Sequence, residues 1–159
     1  MENIDQYISL RKSAFDFYNQ REYIRCPALN NEMVHFTSEG FNHLIYKGDR
    51  SERDKDVQMM KFKMLPKATE IIGLSTTHQE YDESMKNIRK KKHKKIVFEP
   101  ATVRYWGLVA IIRDMRVKVI IRQIGNGQKH FWSVIPAWQK CHYRETKFIS
   151  NAFGDLENE

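Results

Sequence analysis

The chain has 159 residues, 30% of them charged and 41% hydrophobic, with a formal net charge of +7. That length supports one domain with a real core in an ordinary globular balance. No stretch approaches the roughly 18 apolar residues of a membrane helix, the opening MENIDQYISL lacks the basic and apolar runs of a signal peptide, and Cys26 and Cys141 belong to no C-x-x-C pair, so membrane-spanning, secretory, zinc-ribbon and thioredoxin readings lose support.

Ile4, Tyr7, Ile8, Phe15 and Tyr18 recur at helical spacing. They predict a helix over residues 2–22 whose apolar stripe packs on the domain or on another protein. Residues 25–31 read as a loop, 33–37 as a short strand, and Ser38 as the N-cap of a helix over 39–47. After a turn at 48–51, Val57, Met60, Met64, Ala68, Ile71 and Ile72 share one helical face. Pro66 predicts a kink or a fresh start near Leu65, and Gly73 a C-cap. Thr77-His78-Gln79-Glu80 has the form of a capping box and predicts another short helix. Residues 86–95, KNIRKKKHKK, read as an exposed basic linker or helix end.

From there the pattern turns to strands. Residues 96–98 read as a strand interrupted at Glu99-Pro100, because proline cannot donate to a ladder. A strong strand over 103–112 is expected to turn at Asp114-Met115 into 117–123. Gly125-Asn126-Gly127 then supplies a second hairpin turn, leading into a strand that ends at Ile135. Residues 138–144 predict a last strand or an irregular tail, and 155–159 a frayed end. Helices followed by antiparallel strands predict an α+β fold, with the N-terminal helices on one face of a roughly four-stranded antiparallel meander. The expected organisation is an appended helix and loop over 1–32, the domain proper over 33–145, and a tail over 146–159.

The polar cargo of the second hairpin points to function. Arg122, Gln123, His130 and Ser133 sit in strands that otherwise read as core, where such groups are costly unless paired or presented to a cleft. A symmetric turn puts Gln123 opposite His130 and Arg122 opposite Phe131. Regular alternation then assigns Trp106, Leu108, Val119, Ile121, His130 and Trp132 to the helix-covered face. Tyr105, Lys118, Arg122, Lys129, Phe131 and Ser133 fall on the open one. A bulge near Gly125 or Gly127 would shift the register and redirect His130. The basic balance favours a polyanionic partner, set against the bland reading of a solubilising surface.

The segments FTSEGFNHLIYK (36–47), KFKMLPKATEII (61–72), YWGLVAII (105–112) and VKVIIRQIGNGQKHFWSVI (117–135) together resemble the phage- and mobile-element-associated nucleases of the barnase–EndoU–colicin–RelE class. The resemblance covers roughly residues 33–136. It implies helices before a four-stranded antiparallel sheet, and RNA cleavage without a metal or other cofactor. Carried over by position, His43 and Lys47 match the G-F-x-H-x-x-x-K helix and Arg53 the basic residue opening the next helix. Arg122 matches the arginine ending V-x-V-x-x-R, and His130 and Ser133 match the H-F-x-S strand. The implied partners are RNA, with tRNA and ribosome-bound mRNA as candidates, and an antitoxin or immunity protein; the two isolated cysteines make a reducing cytoplasm the default expectation.

Such cleavage uses the 2′-hydroxyl as internal nucleophile, a base to take its proton, cations to stabilise the phosphorane and an acid for the 5′-oxygen. His130 is the first choice for base or acid, against a core histidine bonded to Gln123. His43 and Lys47, at i and i+4, can face one site; the bland reading is a packed ring and a solvated amine. Arg122 suits the scissile phosphate, or else an ion pair with Asp54 or Asp56. Ser133 and Arg53 are further candidate phosphate ligands, against a structural strand serine and a surface arginine at a charged helix start. Lys118, Lys129, Gln123 and Tyr105 are candidate RNA contacts, and His35 is held in reserve. The alternative function is a non-catalytic RNA- or ribosome-binding module, or an interaction domain of a mobile element.

Overall fold

The computed structural model describes residues 4–142, 145–148 and 156–157, with backbone alone over 137–142 and 145–148. In chain order these form α1 (Ile4–Asn19), β1 (Tyr23–Cys26), a 3-10 turn (Pro27–Leu29), β2 (Glu32–His35), α2 (Ser38–Ile45) and α3 (Lys55–Leu74). Then come β3 (Glu80–Lys92), β4 (Lys95–Ile112), β5 (Met115–Ile124), β6 (Lys129–His142) and β7 (Glu145–Phe148). The α+β class holds. The sheet is larger than the expected meander, and mixed: its order is β1-β2-β6-β5-β4-β3, with β7 also on β6. The segment read as a loop over 25–31 instead begins in β1, antiparallel to β2, and β2 joins β6 in parallel at Val34–Lys129 and His35–His130.

The core lies between the helices and one sheet face. Phe62, Leu65, Ala68, Ile71 and Ile72 of α3 are buried with Leu108, Val119, Ile121, Phe131 and Val134 of the sheet, each large side chain contributing on the order of 1.5–3 kcal/mol. α3 runs through Pro66 as one helix, buried on both sides of it, without the fresh start that was one of the two expectations there. The stripe of α1 splits: Tyr7 and Tyr18 are buried, whereas Ile4, Ile8 and Phe15 are exposed. Gly40 lets α2 press on β6, since a Cβ there would lie 2.3 Å from the Phe131 carbonyl oxygen.

Three expectations are overturned by ladder pairing. The capping-box segment forms no helix, because Glu80 opens β3 opposite Gly107. The basic run is not a linker: it completes a hairpin in which Lys92 faces Lys95. Pro100 does not interrupt β4, because it lies on the side of the ladder opposite Asn87, beyond the reach of β5. Two tight turns use non-glycine residues at positive φ, His93-Lys94 (48° and 67°) and Arg113-Asp114 (49° and 63°), so the first meander turn falls one residue before the expected Asp114-Met115.

The outer sheet face is not bare either. Val103, Tyr105, Ile120, Trp132, Ile135 and Leu156 form a second buried cluster, and the Trp132 indole N–H donates to the Glu157 carbonyl at 2.9 Å. Leu156 and Glu157 are therefore packed within the stretch expected to fray. Residues 138–142 extend β6, while 143–144, 149–155 and 158–159 lie outside the described residues.

Candidate functional site

One irregularity in β6 organises the site. Ile120 pairs with Ser133 and Ile121 with Phe131, so Trp132 has no partner in β5 and forms a bulge. The extra residue places His130 directly opposite Arg122. The bulge sits at Trp132 rather than at either hairpin glycine, and it corrects the expected faces. Phe131 turns to the helix-covered core, while Trp132 joins the outer cluster beside Tyr105.

Arg122 is held from three sides. Its Nε donates to His130 Nε2 at 2.8 Å, its Nη2 pairs with the Glu39 carboxylate, and its guanidinium carbon lies 3.6 Å from the centre of the Trp132 ring. The partner acid is Glu39 of α2, not Asp54 or Asp56. A guanidinium offers only donors, so His130 Nε2 is unprotonated and the proton sits on Nδ1, 3.3 Å from the Gln128 carbonyl oxygen. Both ring nitrogens are engaged. Burial and then the Arg122 charge drive this imidazole down to a pKa of about 4. His130 thus accepts from the Arg122 guanidinium and is itself buried.

His43 is held the same way. Its ring stacks on Trp132 at 3.8 Å between centroids, and Nε2 lies 3.1 Å from Arg53 Nη2. Arg53 Nε also donates to the His43 carbonyl at 2.9 Å. Burial, followed by the charges of Arg53, Lys61 and Arg122, pushes the ring down to about 2. Arg53 precedes α3 instead of opening it, because Asp54 is the N-cap. Ser133 is wholly buried and accepts from the Lys61 ammonium at 2.9 Å.

Over these groups lies an open cleft of about 640 Å³ lined by α2, the following loop and the sheet. Glu39, His43, Lys47, Arg50, Arg122 and Trp132 are among its walls. His43 and Lys47 do share the site, although α2 ends at Ile45 and Lys47 belongs to the loop that folds back through Lys47 N–H to the Ser51 carbonyl at 2.8 Å. The four expected RNA contacts are placed elsewhere. Lys118 is buried with its ammonium 3.0 Å from Glu80. Lys129 pairs with Glu32, and Gln123 donates to the Gly127 carbonyl within the hairpin loop. Tyr105 is buried, and burial raises its hydroxyl to about 12. His35 lies beside His130 in the parallel β2–β6 pairing and does not line the cleft.

Glu39, Arg50 and Trp132 line the site without having been singled out from sequence. Glu39 was legible in principle, since Glu39, His43 and Lys47 succeed one another at i+4. Among the described residues no three His, Cys, Asp or Glu side chains are grouped to hold a metal ion, and no helix is long and apolar enough to cross a membrane. No protein-family model, curated protein or solved structure matches the chain.

Proposed function

We propose that the cleft binds an RNA phosphodiester and cleaves it by attack of the neighbouring 2′-hydroxyl, giving a 2′,3′-cyclic phosphate and a 5′-hydroxyl, in the manner of a metal-independent toxin-type endoribonuclease. The observation that carries this reading is the exposed Glu39 carboxylate set against a fixed Arg122, in a cleft that Lys47 and Arg50 also line. Glu39 takes the proton of the 2′-hydroxyl as the O2′–P bond forms. Arg122, aimed by His130 and the Trp132 face, stabilises the phosphorane charge through its two-pronged guanidinium. Lys47 gives a proton to the departing 5′-oxygen as the P–O5′ bond breaks. A dedicated protein inhibitor belongs to this reading, as to any toxin.

The test is incubation with total RNA in EDTA, followed by analysis of fragment ends. Glu39→Gln should slow cleavage by about 10²–10⁴ while RNA binding persists. A second reading, a non-catalytic RNA- or ribosome-binding module, is favoured by one observation: His130 has both nitrogens engaged, and both imidazoles are weak bases. Intact RNA in the presence of saturable binding selects it and overturns the first.

A further inference from the structure

The charge of this chain is concentrated in one place. Residues 86–101 hold seven Lys and Arg side chains against the single carboxylate of Glu99, a net +6 where the whole chain has +7. This stretch is the outer half of the β3–β4 hairpin, and it stands clear of the sheet. β5 accompanies β4 only as far as Val103, whereas β3 and β4 stay paired out to Lys92 and Lys95. At about 3.3 Å per residue the two-stranded arm is roughly 25 Å long.

Its two faces differ. On the side continuous with Tyr105, Lys90 and Lys92 are engaged by Glu99, and Lys86 by Glu157. On the other side Arg89 lies opposite Phe98, and Lys91 opposite Ile96. No carboxylate among the described residues pairs with Arg89 or Lys91. Phe98 is 67% exposed and Ile96 53%. Among the described residues no third strand or helix covers this side of the ribbon, and a two-stranded ribbon gains little from packing, so burial among those residues does not account for these side chains. Cations interleaved with an exposed ring match a surface that tracks a nucleic-acid backbone and stacks its bases.

We propose that this arm is a second nucleic-acid contact, separate from the cleft, which binds a single-stranded segment of RNA with a base on Phe98 and phosphates on Arg89 and Lys91. An anionic membrane is the competing occupant of a basic, partly apolar hairpin. It fits less well, because a hairpin that inserts leads with its apolar residues, and here the tip over 91–95 carries four lysines, no carboxylate and no apolar residue.

The experiment is fluorescence anisotropy of a labelled single-stranded 2′-O-methyl oligoribonucleotide with the full chain across a salt series. That probe lacks the 2′-hydroxyl nucleophile, so the result does not depend on whether the cleft cleaves. Phe98→Ala should weaken binding roughly 5- to 150-fold with the salt slope unchanged. The double variant Arg89→Gln, Lys91→Gln should lower the slope of log K against log salt by about 1.4. All variants should melt as the parent does, because these side chains lie outside both buried clusters. Unchanged RNA affinity in both variants overturns the proposal. So does a Phe98→Ala defect confined to adsorption on phosphatidylserine vesicles, or a wild-type preference for duplex over single-stranded probe.

Discussion

Lowering the pH from 7 to 5 tests whether the two buried imidazoles are neutral in the folded protein. Burial first, and neighbouring cations second, take His43 from 6.5 to about 2 and His130 from 6.5 to about 4. Below pH 6.5 the unfolded chain binds protons at both rings while the folded chain does not. The stability held by the neutral rings is therefore complete above that pH and is lost as the pH falls toward the folded values. Each pH unit below the unfolded pKa costs about 1.4 kcal/mol per ring, so at pH 5 each ring accounts for about 2 kcal/mol and the pair for about 4. Set against a typical net stability of about 5–15 kcal/mol, that is a large effect. Urea unfolding followed by tryptophan fluorescence at the two pH values measures it. His130→Gln keeps an acceptor for Arg122 Nε–H but cannot titrate, and it should halve the loss, from about 4 to about 2 kcal/mol. A loss of full size in His130→Gln would refute the assignment of this ring as the neutral acceptor.

Two further substitutions probe the packing that sets the cleft. Gly40→Ala forces α2 away from the Phe131 carbonyl and the Tyr18 hydroxyl. It should destabilise by about 1–3 kcal/mol, read as a lower melting temperature, and should lower RNA cleavage further than the stability loss explains, because Glu39 moves with the helix. Trp132→Ala removes the surface under both His43 and Arg122. It should cost about 3–5 kcal/mol in urea unfolding, whereas Trp132→Phe, which keeps a ring but not the N–H to Glu157, should recover most of it.

Side-chain periodicity exposed the helices and the central strands, because a buried face repeats every 3.6 or 2 residues whatever it packs against. α1, α2 and α3 lie close to where their apolar spacing put them. What failed were the places where a distant partner outweighs a local signal. Thr77–Glu80 carries a helix-start motif, yet β4 offers a ladder from which Gln79 N–H reaches the Gly107 carbonyl at 2.9 Å and Gln79 Oε1 accepts from Val109 N–H at 2.7 Å. The basic run repels itself as a free segment, but across the hairpin Glu99 engages Lys90 and Lys92. His93-Lys94 and Arg113-Asp114 adopt positive φ without the Asn-Gly signature that flags such turns.

The site shows the same division. Arg122, His43 and Lys47 were legible as chemistry-bearing residues and meet in one cleft. Their partners were not, because partners depend on register. Strict alternation through β6 places His130 on the face opposite Arg122. The unpaired Trp132 shifts the count by one, bringing the imidazole under the guanidinium and the indole beside it. With that shift His130 becomes the acceptor that fixes Arg122, and its own basicity falls through burial first and the nearby Arg122 charge second. A ring that aims a cation in this way is poorly placed to take a proton from a hydroxyl. In the proposed cleavage the base is therefore assigned to the other group that touches the same guanidinium and remains in solvent. That group is Glu39, with its side chain 64% exposed.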